Sequence, residues 1–305
     1  MYYIQETDKL NFFDKIFNNV RLEQDKLILP YIGDEEMLDK KARRLGIKTK
    51  KLLSEASCNK LVLSKKVQNQ EMYVNYLHSN GFEIINGKWL FDIIILEVLK
   101  YLIKKKKMKE KEVQISILVN DLSENVLENI KKIVRKYKKV NVVTNHISKF
   151  KKIEKEILDE YGVMMIVGDN KRKSLSKSNI VLNIDFPIEI INKYLIYDKA
   201  IIINFKGNVK INSKRFNGIN INDYEVKYHN QNYFDYDKET KYKSKEIYES
   251  LIYKKQPLKQ ILKRIKKDKL EITQLIGNNS KIWNVKIMVW IIKNLLRNLF
   301  FFVKI

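Results

Sequence analysis

Five short apolar runs between residues 113 and 205 limit what this chain can fold into more than any other feature. They are 113–119 (VQISILV), 140–143 (VNVV), 163–167 (VMMIV), 180–184 (IVLNI) and 200–205 (AIIINF). Each is rich in β-branched residues, is of strand length, and is bounded by turn residues. Helical patterns separate the first three. After Asn120, Asp121 or Ser123 can cap a helix whose stripe is Val126, Leu127, Ile130, Val134 and Tyr137. After Thr144, Asn145, His146 and Ser148 a second helix carries Phe150, Ile153, Ile157, Leu158 and Tyr161, and Gly162 ends it. The third run leads to Gly168, Asp169 and Asn170. A basic segment then reaches the fourth run, which ends in Asp185, Phe186 and Pro187. Strands alternating with helices in this way predict a parallel sheet with crossover helices.

The residues ahead of this region describe a smaller α/β unit. The stretch 20–29 (VRLEQDKLIL) alternates around Gln24 and Asp25, which predicts a hairpin, and Pro30 closes it. Asp34 opens a helix with Met37, Leu38, Ala42 and Leu45 on one side. Gly46 is expected to interrupt it, and a second helix follows with Leu52, Leu53 and Ala56. Strands are expected at 61–63 and 82–85, with a helix over 71–79 between them. The stretch 89–103 (WLFDIIILEVLKYLI) is apolar nearly all round, the pattern of one buried helix, placed between two domains. Lysines 104–107, 109 and 111 follow it; a solvated helix end explains them, and an anion-binding patch is the alternative. Beyond residue 206 the periodicity weakens. Loops with a hairpin are expected at 228–242, helices at 244–255 and 258–267, and a last short element at 272–276.

With 305 residues the chain is long enough for two domains. Its single cysteine, Cys58, excludes a disulfide framework and a cysteine-built zinc site, and fits a reducing cytoplasm. The N-terminus lacks the basic and apolar regions of a secretory signal. The net charge of +24 is of the kind found in nucleic-acid and anionic-membrane proteins. Here the basic residues are mostly lysines spread along the chain, in the Lys, Ile and Asn-rich composition of an AT-rich genome, so nucleic acid is not the expected partner. Residues 281–305 are very apolar, and Lys286, Lys293, Arg297 and Lys304 fall on one helical stripe. Three readings fit that tail: a peripheral membrane-surface helix, a helix docked on the body, or a reading frame that was never selected.

Residues 113–187 resemble the dinucleotide-binding domain of the shikimate dehydrogenase and glutamyl-tRNA reductase type. In that type the second strand ends in an Asn-Arg-Thr-like turn that holds the adenosine ribose or its phosphate; here Thr144-Asn145-His146-Ile147-Ser148 stands there. A small-residue strand precedes the nicotinamide in the family, and residues 178–185 (SNIVLNID) take its place. The resemblance implies a Rossmann-like α/β fold, with NAD(P) as the cofactor. The departure is in the first turn. The family has a glycine-rich loop, whose glycines let backbone N–H groups approach the pyrophosphate. This chain has Asn120-Asp121-Leu122-Ser123-Glu124, without a glycine and with two acids. The expected organisation is a small α/β domain (1–86), an apolar connecting helix and basic run (87–111), a Rossmann-like domain (112–206), an irregular and mostly helical C-terminal region (207–280) and the tail (281–305).

Ligands in open parallel sheets bind outside the carboxyl ends of the strands. The candidate ligand rim is therefore Asn120, Asp121, Ser123, Thr144, Asn145, His146, Gly168, Asp169, Asn183 and Asp185. One histidine and three aspartates there could serve acid–base chemistry, while helix capping explains the same residues without it. The three histidines, His78, His146 and His229, lack metal-ligand spacing, so no metal is expected. Three functions follow. The first is a non-catalytic or degenerate Rossmann-like protein, with a small-molecule or protein partner. The second is an NAD(P)-dependent oxidoreductase with an atypical pyrophosphate loop. The third is a nucleic-acid or membrane-surface binding protein.

Overall fold

The computed structural model describes residues 1–7, 19–33, 35–55, 59–211, 216–229, 241–253 and 256–277. Cys58, Asp34, Ala56 and the tail 281–305, with what was expected of them, lie outside the described residues. The chain divides into two compact units, one made of Met1–Leu90 and Val226–Glu271, the other of Phe91–Glu225 and the residues from Ile272 on.

The first unit is built on a five-stranded sheet. Its strands are β1 (Tyr2–Glu6), β2 (Arg21–Glu23), β3 (Lys26–Leu29), β4 (Lys60–Leu63) and β5 (Glu83–Ile84), in the order β2-β3-β1-β4-β5. β3, β1, β4 and β5 are parallel, and β2 is the antiparallel arm of the hairpin turned at Gln24 and Asp25. A parallel sheet must be covered on both faces. On one face Ile4, Leu61 and Leu63 pack with Ala42, Leu45, Leu53, Tyr73 and Leu77, from helices α1 (Asp39–Glu55) and α3 (Glu71–Ser79). A short helix, α2 (Lys65–Gln68), lies between those two in sequence. On the other face Tyr3 and Val62 pack with Ile247. The pleat sends alternate residues of one strand to opposite faces.

Gly46 does not break the helix there: α1 runs through it. The ring of Tyr76 lies so close that a Cβ on Gly46 would sit 2.1 Å from its Cδ1. The glycine is explained by packing against a second helix, not by a turn. Leu38 is also corrected. It precedes α1 and is 80% exposed, while Met37, Ala42 and Leu45 are buried as expected.

The segment expected as one helix over 89–103 is two, α4 (Lys88–Ile93) and α5 (Ile95–Lys105), which meet at Ile94. Leu90, Phe91, Ile95, Val98, Leu99 and Leu102 are buried, as a helix with so few polar positions requires.

The second unit holds a seven-stranded sheet. In chain order the strands are β6 (Gln114–Leu118), β7 (Lys139–Val143), β8 (Ile166–Gly168), β9 (Ile180–Asn183), β10 (Ile201–Asn204), β11 (Ile219–Lys227) and β12 (Glu271–Gly277). In space they run β8-β7-β6-β9-β10-β11-β12. Every pair from β8 to β11 is parallel. The first six strands thus follow the order 3-2-1-4-5-6, with the chain reversing direction across the sheet between β6 and β9. The fold is Rossmann-like.

The crossovers α6 (Glu124–Lys136) and α7 (Ile147–Tyr161) form as the periodicity requires, burying Val126, Ile130 and Val134 on one and Phe150, Ile153 and Ile157 on the other. Gly162 ends α7 in the left-handed region, at φ 65°. Leu158, expected in the stripe, is exposed. A short helix, α8 (Ile188–Ile191), follows β9. The region 207–280, expected to be irregular and helical, supplies β11 and β12 to this sheet. Its two expected helices, α9 (Ser244–Ile252) and α10 (Leu258–Lys267), belong to the first unit. Among the described residues no helix is long and apolar enough to cross a membrane.

Candidate functional site

The switch in strand order puts the carboxyl ends of β6 and β9 side by side, and the crevice there is where an open parallel sheet receives its ligand. In this chain a side chain of the protein itself holds the loop amides there. Asp185, just past β9, turns its carboxylate onto the loop that follows β6. The Asn120 N–H donates to Oδ1 at 2.8 Å and Oδ2 at 3.1 Å, and the Asp121 N–H donates to Oδ2 at 2.6 Å. Two consecutive backbone donors on one carboxylate form an anion nest filled from within. These are the donors a pyrophosphate would need.

The rest of the loop is committed as well. The Asn120 Oδ1 accepts from the Asn145 N–H at 2.9 Å and from the Thr144 hydroxyl at 3.5 Å, which ties the end of β6 to the end of β7. Thr144 is fully buried, and its hydroxyl also accepts from the His146 N–H. The Thr144 N–H donates to the Gly168 carbonyl, so β8 is held in the same chain of bonds. Ser123 is the N-cap of α6 and accepts from the Val126 N–H at 3.3 Å. Asn145, His146 and Asp169 are exposed.

Asn183 faces the interior. It belongs to a ladder of four buried amides across the ends of β9, β10 and β11. Asn183 accepts from the Phe186 N–H and donates to the Phe186 carbonyl and to Asn204 Oδ1 at 2.9 Å. Asn204 donates to Asn220 Oδ1 at 2.7 Å and Asn222 Oδ1 at 2.8 Å. Both of those donate in turn to the Val209 carbonyl. Every amide here has its partners inside the protein, which is what makes burying four of them tolerable.

Two groups that the sequence did not single out complete the filling. Phe91 stacks on Tyr224 with ring centroids 4.4 Å apart and leans on Phe205 at 4.6 Å, and all three rings are buried. Asp92 follows it. Its carbonyl accepts from Asn125 Nδ2 at 2.8 Å, its Oδ2 accepts from the same nitrogen at 3.3 Å, and its Oδ1 is buried without a hydrogen-bond partner. Burial pushes the Asp92 carboxyl above the usual range. The Asn125 bond and Lys206 act against that shift, and Asp185 and Asp121 add to it. The signal for Asp92 was present in the sequence, as an acid interrupting an otherwise apolar helix. Asn204 gave a weaker one, an asparagine near the end of a β-branched run, and Asn220 and Asn222 gave none.

The residues therefore do not fit a dinucleotide. A diphosphate would have to displace Asp185 from the two N–H groups and then sit beside Asp92, Asp121 and Asp185, with no glycine in the loop to let the backbone close around it. Among the described residues no group of three His, Cys, Asp or Glu side chains is placed to hold a metal ion.

No family model and no curated protein matches the chain. Among solved structures it is similar to L-tryptophan dehydrogenase from Nostoc punctiforme, at 11% identity and a TM-score of 0.33 over 79% of this chain and 66% of that one. It is also similar to anabolic ornithine carbamoyltransferase from Campylobacter jejuni, at 10% and 0.29 over 70% and 77%. A shikimate 5-dehydrogenase-like protein gives 11% and 0.23 over 67% and 76%. The assignment of the fold rests on strand order and register, not on these likenesses.

Proposed function

We propose that this chain is a non-catalytic Rossmann-like protein that has given up dinucleotide binding and acts through a protein partner in the cytoplasm. The observation that carries the reading is the Asp185 carboxylate on the Asn120 and Asp121 N–H groups. The Asn183–Asn204 ladder and the Phe91–Tyr224 stack support it, because they fill the rest of the strand ends with groups whose bonds and contacts are already made. With the crevice occupied by the protein itself, recognition falls to the surface. The single cysteine supports the cytoplasmic placement, since it fits a reducing compartment.

A thermal-shift measurement with NADH and NADPH tests the reading. A cofactor at a hundred times its Kd stabilises by about 2.7 kcal/mol, which raises Tm by several degrees. The expected shift is nil for both nucleotides. A reproducible rise with either one overturns the reading and restores the oxidoreductase.

A further inference from the structure

The outer edge of the second sheet, at β8, has no strand beside it among the described residues. β8 is paired by β7 alone, with Asn141 level with Ile166 and Val143 with Gly168. Residues 162–168 (GVMMIVG) contain no charge and no proline, in a chain that is 31% charged. Side chains alternate along it. Met165 and Val167 are buried, whereas Met164 is 76% and Ile166 64% exposed. Natural edges are blunted by shortness, lysine, proline, bulges or a covering element, because an unblunted one pairs with whatever strand it meets; β8 is three residues long but has neither lysine nor proline.

The charge around the strand says what that partner is. Lys138 and Lys139 are exposed at the start of β7, and continuing the register puts Lys139 level with Met164. Beyond Gly168 the turn carries exposed Arg172 and Lys173 against Asp169, and on the near side exposed Asp159 and Glu160 close α7, with Glu160 paired to Lys131 at 3.3 Å. The whole chain bears +24. A second copy would add its own +24 to that of this chain, whereas an acidic segment would be drawn in. We infer that the outer edge of β8 is a docking site for an extended apolar segment of a partner protein, flanked by acidic residues and added as an eighth strand. Backbone hydrogen bonds to the edge supply the affinity, and the exposed Met164 and Ile166 select alternate apolar side chains. This rests on the reading of the chain as a partner-binding scaffold.

The test uses the full chain and a fluorescent peptide of alternating valine and threonine with two glutamates at each end. The controls are the same peptide with lysines at its ends and the variant M164T/I166T, which keeps the backbone edge and the charge. Both substituted side chains are exposed, so the variant should melt with the wild type. The expected result is binding of the acidic peptide to wild type about tenfold tighter than to the variant, or than the lysine peptide binds wild type. The amides of Met165 and Val167, which alternate with those turned to β7, should exchange fast in the free chain and slowly in the complex. Equal binding by variant and wild type, or no binding, overturns the proposal. So does a dimer lost in the variant, which would make the occupant a second copy, or protection of those amides in the free monomer. Cofactor stabilisation in the same samples would instead sink the scaffold reading, so the two failures are distinguishable.

Discussion

Replacing Glu249 by glutamine should stabilise the first unit at pH 8 and leave it nearly unchanged at pH 4. Glu249 lies on α9 and is 2% exposed. Its carboxylate accepts from the Leu90 N–H at 2.8 Å and from the Gly87 N–H, at the start of α4. Burial pushes the carboxyl from its ordinary 4.5 up to about 7. The two N–H groups and Lys245 act against that shift, and Glu246 adds to it. A folded pKa raised by roughly 2.5 units corresponds to about 3 kcal/mol. The sign follows from which state holds the proton. Below pH 4.5 both states are protonated and there is no penalty. Between 4.5 and 7 the unfolded chain loses its proton first, so stability falls as pH rises. Above 7 the full penalty of about 3 kcal/mol is present. Glutamine is neutral throughout and its Oε1 still accepts from Leu90, with at most about 1 kcal/mol lost for a mispaired second donor. Urea unfolding followed by far-UV circular dichroism, repeated from pH 4 to 8, measures the difference. The variant should gain about 2–3 kcal/mol on wild type across that window. A difference that stays flat with pH, or one that runs the other way, refutes the argument.

Gly46→Ala in a helix interior would ordinarily stabilise, yet here the new methyl meets the Tyr76 ring, so a loss of about 1–3 kcal/mol is expected. In a Tyr76→Ala background the same change should become neutral or favourable, and a penalty that survives there would remove Tyr76 as the cause. Asp185→Ala leaves the Asn120 and Asp121 N–H groups without their acceptor and should cost about 2 kcal/mol in urea unfolding. If the variant is as stable as wild type, the carboxylate does not hold the loop.

Much of this architecture can be read from residues alone, and what cannot has a common cause. The runs at 113–119, 140–143, 180–184 and 200–205 became β6, β7, β9 and β10, because β-branched apolar residues between turns leave little else to form. Ser123 and Gly162 marked helix ends by local chemistry, which acts within a few residues. β11 was hidden because Asn220 and Asn222 look like loop residues, and only the amide of Asn204, 16 and 18 positions away, makes them interior. Gly46 looked like a break because Tyr76, which fills its gap, comes 30 residues later. The candidate rim shows the same limit. Sequence placed Asp185 at the strand end, but its reach back across 64 and 65 residues to the loop amides is a tertiary fact. That reach separates a ligand site from a closed one.

The buried asparagines also bear on how the second sheet finds its alignment. The runs IVLN and IIIN are nearly interchangeable apolar strands, and hydrophobic burial alone hardly tells one parallel pairing from another shifted by two residues. The pairing of Asn204 with Asn183, and the placing of Asn204 between Asn220 and Asn222, is the alignment in which each amide meets another amide. Any slip would set a polar side chain against isoleucine and leave its donors unmet. The ladder thus acts as a key cut into otherwise uniform strands, rejecting misaligned sheets during folding by the cost of each mismatch.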